Sequence, residues 1–259
     1  MRKATIAKYE VELFDSIEEL PMMRFHKYNK MLLIDAGIGS DLADFDAKIE
    51  KARVYLHNKQ NDLASIELEN LRQNVYFIQS GVSPKHLAFA VLVKSINGED
   101  KNDLSPEALQ KVLDLLADAP NNEVTAQFEA VKKKIDEELQ LYFPNLFDDA
   151  TIKEYYDDLK RRTMLVLQMI INGETEELNK EIDRITLALM VYNKPHVFSG
   201  VDNMEIQHDK NFENMCLMIS QKLNVNAKKQ TVLEFYNAFD YIKEMIKAES
   251  KGAGKNKAI

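Results

Sequence analysis

The sequence predicts an all-α protein: an irregular multi-helix bundle of about nine to ten helices behind a short N-terminal strand or extended arm. Three observations carry this. Apolar residues recur at spacings of three and four along most of the 259 residues, the period of one helix face. Eight glycines and six prolines are few for that length, whereas sheets and turn-rich folds use more of both. Alternation of period two is convincing in one place only, between Ile6 and Phe14.

In that place Ile6, Lys8, Glu10 and Glu12 alternate with Ala7, Tyr9, Val11 and Leu13, which reads as a short edge strand or extended arm. Ser16 and Glu19 have capping-box spacing, and Pro21 suits a first helical turn. A helix from about Met22 to Asp35 places Met22, Phe25, Tyr28 and Leu32 on one face, and Gly37 and Gly39 end it. Ser40 and Asp41 start the second, with a stripe of Leu42, Phe45, Ile49, Ala52 and Leu56. The third runs from about Asp62 to Gln79 and turns Ala64, Leu68, Leu71, Val75 and Ile78 inward. Ser83-Pro84 opens a very apolar helix through Ile96, central to the core, which Asn97-Gly98-Glu99-Asp100 breaks. Ser105-Pro106 opens another, through Ala117, and a loop follows from Asp118 to Asn122.

Val124, Phe128, Val131, Ile135, Leu139 and Tyr142 line the next helix, which leads to Pro144 and an acidic turn at Asp148 and Asp149. Helices over about 151–172, stopped by Gly173, and 176–192 come next, the second burying Leu178, Ile182, Ile185, Leu189 and Tyr192. Residues 194–210 read as irregular, then a helix covers about 211–223. Thr231 with Glu234 caps the last helix, which presents Val232, Phe235, Tyr236, Phe239 and Ile242. The chain divides into an N-terminal helical region (1–120), a C-terminal helical region (121–248) and a flexible basic tail (249–259); the two helical regions are equally readable as one continuous domain. No internal repeat of fixed period emerges.

A net charge of −8 argues against nucleic acid as the main partner, because phosphate binding needs a basic surface. Weak contact through the tail lysines Lys243, Lys247, Lys251, Lys255 and Lys257 is the exception. Cys216 is the one cysteine, which excludes an intrachain disulfide and suits a core filler in a reducing compartment. The longest apolar runs, 87–93 and 164–171, fall far short of the roughly 20 residues that cross a bilayer, so no membrane partner is expected. No signal peptide is apparent, and the expected location is the cytosol.

Candidate chemistry is sparse. The stretch Met31-Leu32-Leu33-Ile34-Asp35-Ala36-Gly37-Ile38-Gly39 resembles the glycine turn of S-adenosylmethionine-dependent class I methyltransferases, but the third glycine is missing. Glu205 and His208 have the order of a di-iron ligand pair, without a second copy. Asp41, Asp44 and Asp46 fit a helix's first turn better than a calcium loop. No P-loop, His-Glu-x-x-His or nucleophile elbow is present. The expectation is a non-enzymatic protein with no catalytic, cofactor-binding or metal-binding residues and no cofactor.

Docking residues are the remaining candidates. Tyr9, Val11 and Leu13 could add to a neighbour's sheet edge. Tyr155 and Tyr156, in an acidic run that Arg161 and Arg162 can satisfy by helical pairing, suit a partly exposed partner-binding face. Phe235, Tyr236 and Phe239, with Tyr241, form an aromatic cluster that either anchors a partner or, as favoured here, packs internally.

Three stretches carry a family likeness. Arg24-Phe25-His26-Lys27-Tyr28-Asn29-Lys30 leading to Asp35-Ala36-Gly37-Ile38-Gly39-Ser40-Asp41 is the first. Asn70-Leu71-Arg72-Gln73-Asn74 with Ser83-Pro84-Lys85-His86-Leu87-Ala88-Phe89 is the second, and Thr231-Val232-Leu233-Glu234-Phe235-Tyr236-Asn237 the third. They resemble uncharacterised proteins encoded among the structural genes of tailed bacteriophages of gut bacteria. The closing helix is similar to that of small helical tail assembly chaperones, although this chain is longer than those. The resemblance implies a virion or virion-assembly protein, either a chaperone or a minor structural component. Its partners would be other phage structural proteins or a second copy of itself, in the host cytoplasm or within the virion. A cytosolic adaptor or regulator is the alternative, and a methyltransferase-like cofactor binder comes third.

Overall fold

The computed structural model describes residues 1–144, 150–192 and 194–255; for Asn121, 150–153, 187, 190–192 and 250–255 it describes backbone only. The expected acidic turn at Asp148 and Asp149, the side chains of Tyr192, Lys251 and Lys255, and the whole of Lys257 lie outside the described residues. The chain is mostly helical with a small antiparallel sheet. Its elements are β1 (Arg2–Ile6), β2 (Tyr9–Leu13), α1 (Met22–Ile38), α2 (Leu42–His57), α3 (Asn61–Ser80), α4 (Pro84–Leu92), β3 (Val93–Ile96), β4 (Glu99–Asp100), α5 (Pro106–Leu115), α6 (Asn121–Tyr142), α7 (Ala150–Asn172), α8 (Glu176–Tyr192), α9 (Met204–Leu223) and α10 (Val232–Lys255). They form two compact units, Met1–Leu139 with Val197–Ile259, and Gln140–His196.

In the first unit the sheet order is β1-β2-β3-β4. The expected single strand or arm is a hairpin, turning at Ala7 with φ 52°. β2 is also an inner strand, paired with β1 on one side and β3 on the other. β3 departs further from expectation, because the apolar helix through Ile96 stops at Leu92 and its last four residues become strand. Arg24, buried from α1, explains how. Its guanidinium donates to the carbonyls of Val91 (2.7 Å), Val93 (3.1 Å) and Lys101, and lies over the Phe14 ring. Phe14 N–H takes the Leu92 carbonyl at 2.9 Å. The carbonyls a helix end leaves open are thus satisfied by tertiary contacts, and the backbone is released into the sheet. Asn97 and Gly98, at φ 50° and 79°, then turn β3 into β4 as a primed hairpin turn requires.

The inner faces of α2 and α3 hold Ala52 and Ala64 as expected, with Phe45, Ile49, Leu71, Val75 and Ile78 half-buried, but differ from the expected stripes elsewhere. Leu42, Leu56 and Leu68 are exposed, and the buried residues are Lys48, Ala52 and Tyr55 on α2 with Ala64, Glu67, Asn70 and Asn74 on α3. The reason lies at the C-terminal end of α1. Lys48 Nζ donates to the Gly37 carbonyl, and Asn74 Nδ2 donates to Ile38 O at 3.2 Å. A cation and an amide therefore close the carbonyl end of a buried helix, where the dipole favours positive charge. Glu67 lies 3.6 Å from the Lys48 ammonium.

Ser16 and Glu19 form a turn and not the expected capping box, while α1 begins at Met22 as expected, with Pro21 as its N-cap. Backbone bonds tie this start to that of α10, from Met22 N–H to Gln230 O and from Val232 N–H to Leu20 O. The Thr231–Glu234 capping box is present in both directions, at 2.9 and 3.3 Å. α9 begins at Met204, earlier than expected, because the Asn203 side chain caps Glu205 N–H at 2.7 Å. The unit's core is aromatic at its centre, where Tyr28 and Phe89 both meet Phe128 of α6 at 6.3 Å.

The second unit's described helices, α7 and α8, form a helical hairpin. Gly173 closes α7, and Thr175 Oγ1 accepts from Leu178 N–H at 3.3 Å to open α8. Arg161 pairs with Glu181 (2.7 Å) and Arg162 donates to Thr186 (2.8 Å), so both arginines engage across the hairpin.

Candidate docking surface

α8 is amphipathic in the ordinary way. Leu178, Ile182, Ile185 and Leu189 are buried or half-buried, while Lys180, Asp183 and Arg184 face water. α7 is apolar on two sides. Tyr155, Leu165, Val166 and Met169 are half-buried and share the side of Arg162, which is bonded to α8. On the other side Tyr156, Leu159, Met164, Leu167, Ile170 and Ile171 are 37% to 79% exposed. At the helical period these six fall within an arc of about 140°. A wide apolar helix face is ordinarily covered, so this exposed arc on α7 needs an explanation.

Of the residues expected to bind partners, Tyr156 is on this surface and is 62% exposed. Tyr155 is half-buried beside it, with the two rings edge-to-face at 5.4 Å. Val11 and Leu13 are buried, and Tyr9 is half-buried on a strand whose two edges are already paired. Phe235 is fully buried, stacked on Phe212 at 6.0 Å and edge-to-face with Tyr236 at 5.8 Å. Tyr236 and Phe239 are half-buried, and burial raises the Tyr236 hydroxyl pKa. The aromatic cluster thus packs internally at Phe235.

Leu159, Met164, Leu167, Ile170 and Ile171 were not among the sequence candidates. The signal was the 164–171 run: one helix face cannot hold seven apolar residues out of eight, so some of them must lie on a second face.

Two other clusters bear on the sequence reading. Met31 to Ile38 is the C-terminal part of α1 and not a strand, which removes the structural basis of the methyltransferase likeness. Helix geometry also sets Gly37: a Cβ there would enter the Phe198 ring. His208 lies on α9 and not in an irregular stretch, and it stacks on His26 of α1 with Asp209 and Lys30 alongside. Among the described residues no three His, Cys, Asp or Glu side chains converge as a metal site would need, and no helix is long and apolar enough to cross a membrane.

No protein-family model matches the chain, and comparison with curated proteins and with solved structures gives no match.

Proposed function

We propose that this chain is a non-enzymatic assembly protein, built as an irregular helical bundle, that works by docking protein onto the outer face of α7. The observation that carries the reading is the uncovered arc from Tyr156 to Ile171. Apolar surface left in water costs about 25 cal/mol per Å² relative to burial, so such an arc favours association. The proposal extends to the class the sequence resembles, a tailed-phage virion or virion-assembly component acting in the host cytoplasm or within the particle. Support for that step is the likeness of the three stretches of sequence.

The test combines particle composition with capture. Tagged protein from phage-producing cells should recover a head or tail protein, and Leu167→Asp with Ile170→Asp should lose it. Mass spectrometry of purified virions then separates a minor component from a chaperone that leaves. Recovery of no head or tail protein, together with absence from virions, would remove the assembly reading.

A further inference from the structure

We infer that the outer face of α7 pairs antiparallel with the same face of a second copy, so that two α7–α8 hairpins close a four-helix bundle. The inference rests on the docking reading of this face and names its occupant.

Area is the first argument. Taking ~200 Å² for a large side chain, the exposures of Tyr156, Leu159, Met164, Leu167, Ile170 and Ile171 leave on the order of 700 Å² in water, of which roughly 600 Å² is apolar once polar atoms are set aside. A stable interface takes ~800 Å² from each partner, about 60% of it non-polar, so roughly 500 Å² of apolar surface is needed. The arc meets that requirement without help from another element. It also reaches the upper end of the ~300–600 Å² that the largest patch on a monomer shows.

Architecture is the second. A two-helix hairpin buries one stripe per helix, and α8 has one. α7 has two, which is what a helix needs when a hairpin mate covers one side and a neighbouring hairpin the other. Two such hairpins make four helices around a shared core, the arrangement of a four-helix bundle.

Charge decides the direction. The charged residues near the arc, Asp157, Lys160 and Arg161, all lie in its N-terminal half, and residues 164–172 carry no charge. Parallel pairing would set Lys160 against Lys160 and Asp157 against Asp157, which like-charge repulsion disfavours. Antiparallel pairing about the arc's midpoint, between Thr163 and Met164, sets Tyr156 against Ile171 and Lys160 against Leu167. The lysine stem can lie along that apolar surface while its ammonium reaches water. Each charged half then meets an uncharged one.

Light scattering on the full chain at tens of micromolar tests the pairing. The expected mass is twice that of one chain, falling to one chain in Leu167→Asp and in the milder Ile170→Gln, with unchanged far-UV circular dichroism. Cysteine cross-linking tests the direction. A mixture of Tyr156→Cys and Ile171→Cys chains should form the 156–171 disulfide on oxidation. Tyr156→Cys alone should not cross-link at these positions, because antiparallel partners hold them ~22 Å apart at 1.5 Å per residue. A monomeric wild type, a dimer that survives both face variants, or a 156–156 cross-link overturns the inference. If a monomeric wild type still captures a structural protein through α7, self-pairing falls while the docking reading stands. Monomer with no α7-dependent capture removes both.

Discussion

The His26 ring lies nearly parallel to that of His208, with centroids 4.5 Å apart and 6° between the planes, and Phe212 covers its other side at 4.0 Å. Its Nε2 meets Asp209 at 2.9 Å. Burial holds the His26 pKa below the ordinary histidine value; His208 and Lys30 push the same way, and Asp209 opposes them. The unfolded chain therefore takes up this proton first as pH falls through about 6.5, and the folded state takes it up later. The stability that His26 contributes is full above that value and is lost as pH drops below it toward the folded pKa. His86, also lowered by burial, acts in the same direction. Urea unfolding at about pH 7.5 and 5.5 should show lower stability at the acid value, with a shallower dependence in His26→Phe. A flat or opposite wild-type slope would show that burial does not control this histidine.

Lys48 and Glu67 are 8% and 2% exposed, and the lysine also serves the Gly37 carbonyl. Lys48→Met leaves the Glu67 carboxylate buried without a cation and should cost about 3–5 kcal/mol. Lys48→Met with Glu67→Leu removes both charges and should cost less than the sum of the singles, by about 0.5–3 kcal/mol. The carbonyl that loses its donor keeps the double variant below wild type. Equilibrium denaturation of the four proteins checks both values, and strict additivity would show the pair uncoupled.

Helix positions were legible because period 3.6 survives whatever a helix packs against; α6 and α8 lie close to where the apolar spacing puts them. Packing partners were less so. Lys48, Glu67 and Asn74 face inward because α1 ends beneath them, a relation between distant segments that no window on α2 or α3 contains. The break between Leu92 and Val93 depends on Arg24, 67 residues before the carbonyl of Val91 it binds. Asn97-Gly98 did carry a local hairpin signal, obscured by the apolar run before it. On the candidate surface Tyr156 was readable as an exposed aromatic. The 164–171 run is too short for a bilayer, and that its second face stays exposed is decided by what α7 packs against, which the run itself does not contain.

Gly37 reverses a familiar sign. Glycine inside a helix is ordinarily worse than alanine by roughly 0.5–1 kcal/mol. Here a Cβ would overlap the ring of Phe198, which is 4% exposed and has little room to move. Gly37→Ala should therefore destabilise by about 1–3 kcal/mol through overpacking. Combining it with Phe198→Leu should recover part of the loss, as read by thermal unfolding. A more stable Gly37→Ala would mean the ring yields freely.

Gly98 isolates a backbone effect. A Cβ at this position meets nothing within 4 Å, so sterics with neighbours contribute nothing. Its φ of 79° remains unfavourable for an L side chain. Gly98→Ala should cost about 1–2 kcal/mol, visible as a lower urea midpoint with an unchanged slope.

Phe235 and Tyr241 sit six residues apart on α10 and separate packing from surface. Phe235 is fully buried between Phe212 and Tyr236, whereas Tyr241 is 59% exposed. Truncating a buried phenylalanine removes its burial and leaves a cavity, so Phe235→Ala should cost about 3–5 kcal/mol. Tyr241→Ala should change stability by less than about 0.5 kcal/mol, as surface substitutions do. Urea denaturation of the two variants decides between an aromatic anchor held ready for a partner and a core that ties α10 to α9 and α1. A small loss from Phe235→Ala would favour the anchor; a loss near the cavity value fixes Phe235 as core and leaves α7 as the surface to probe for docking.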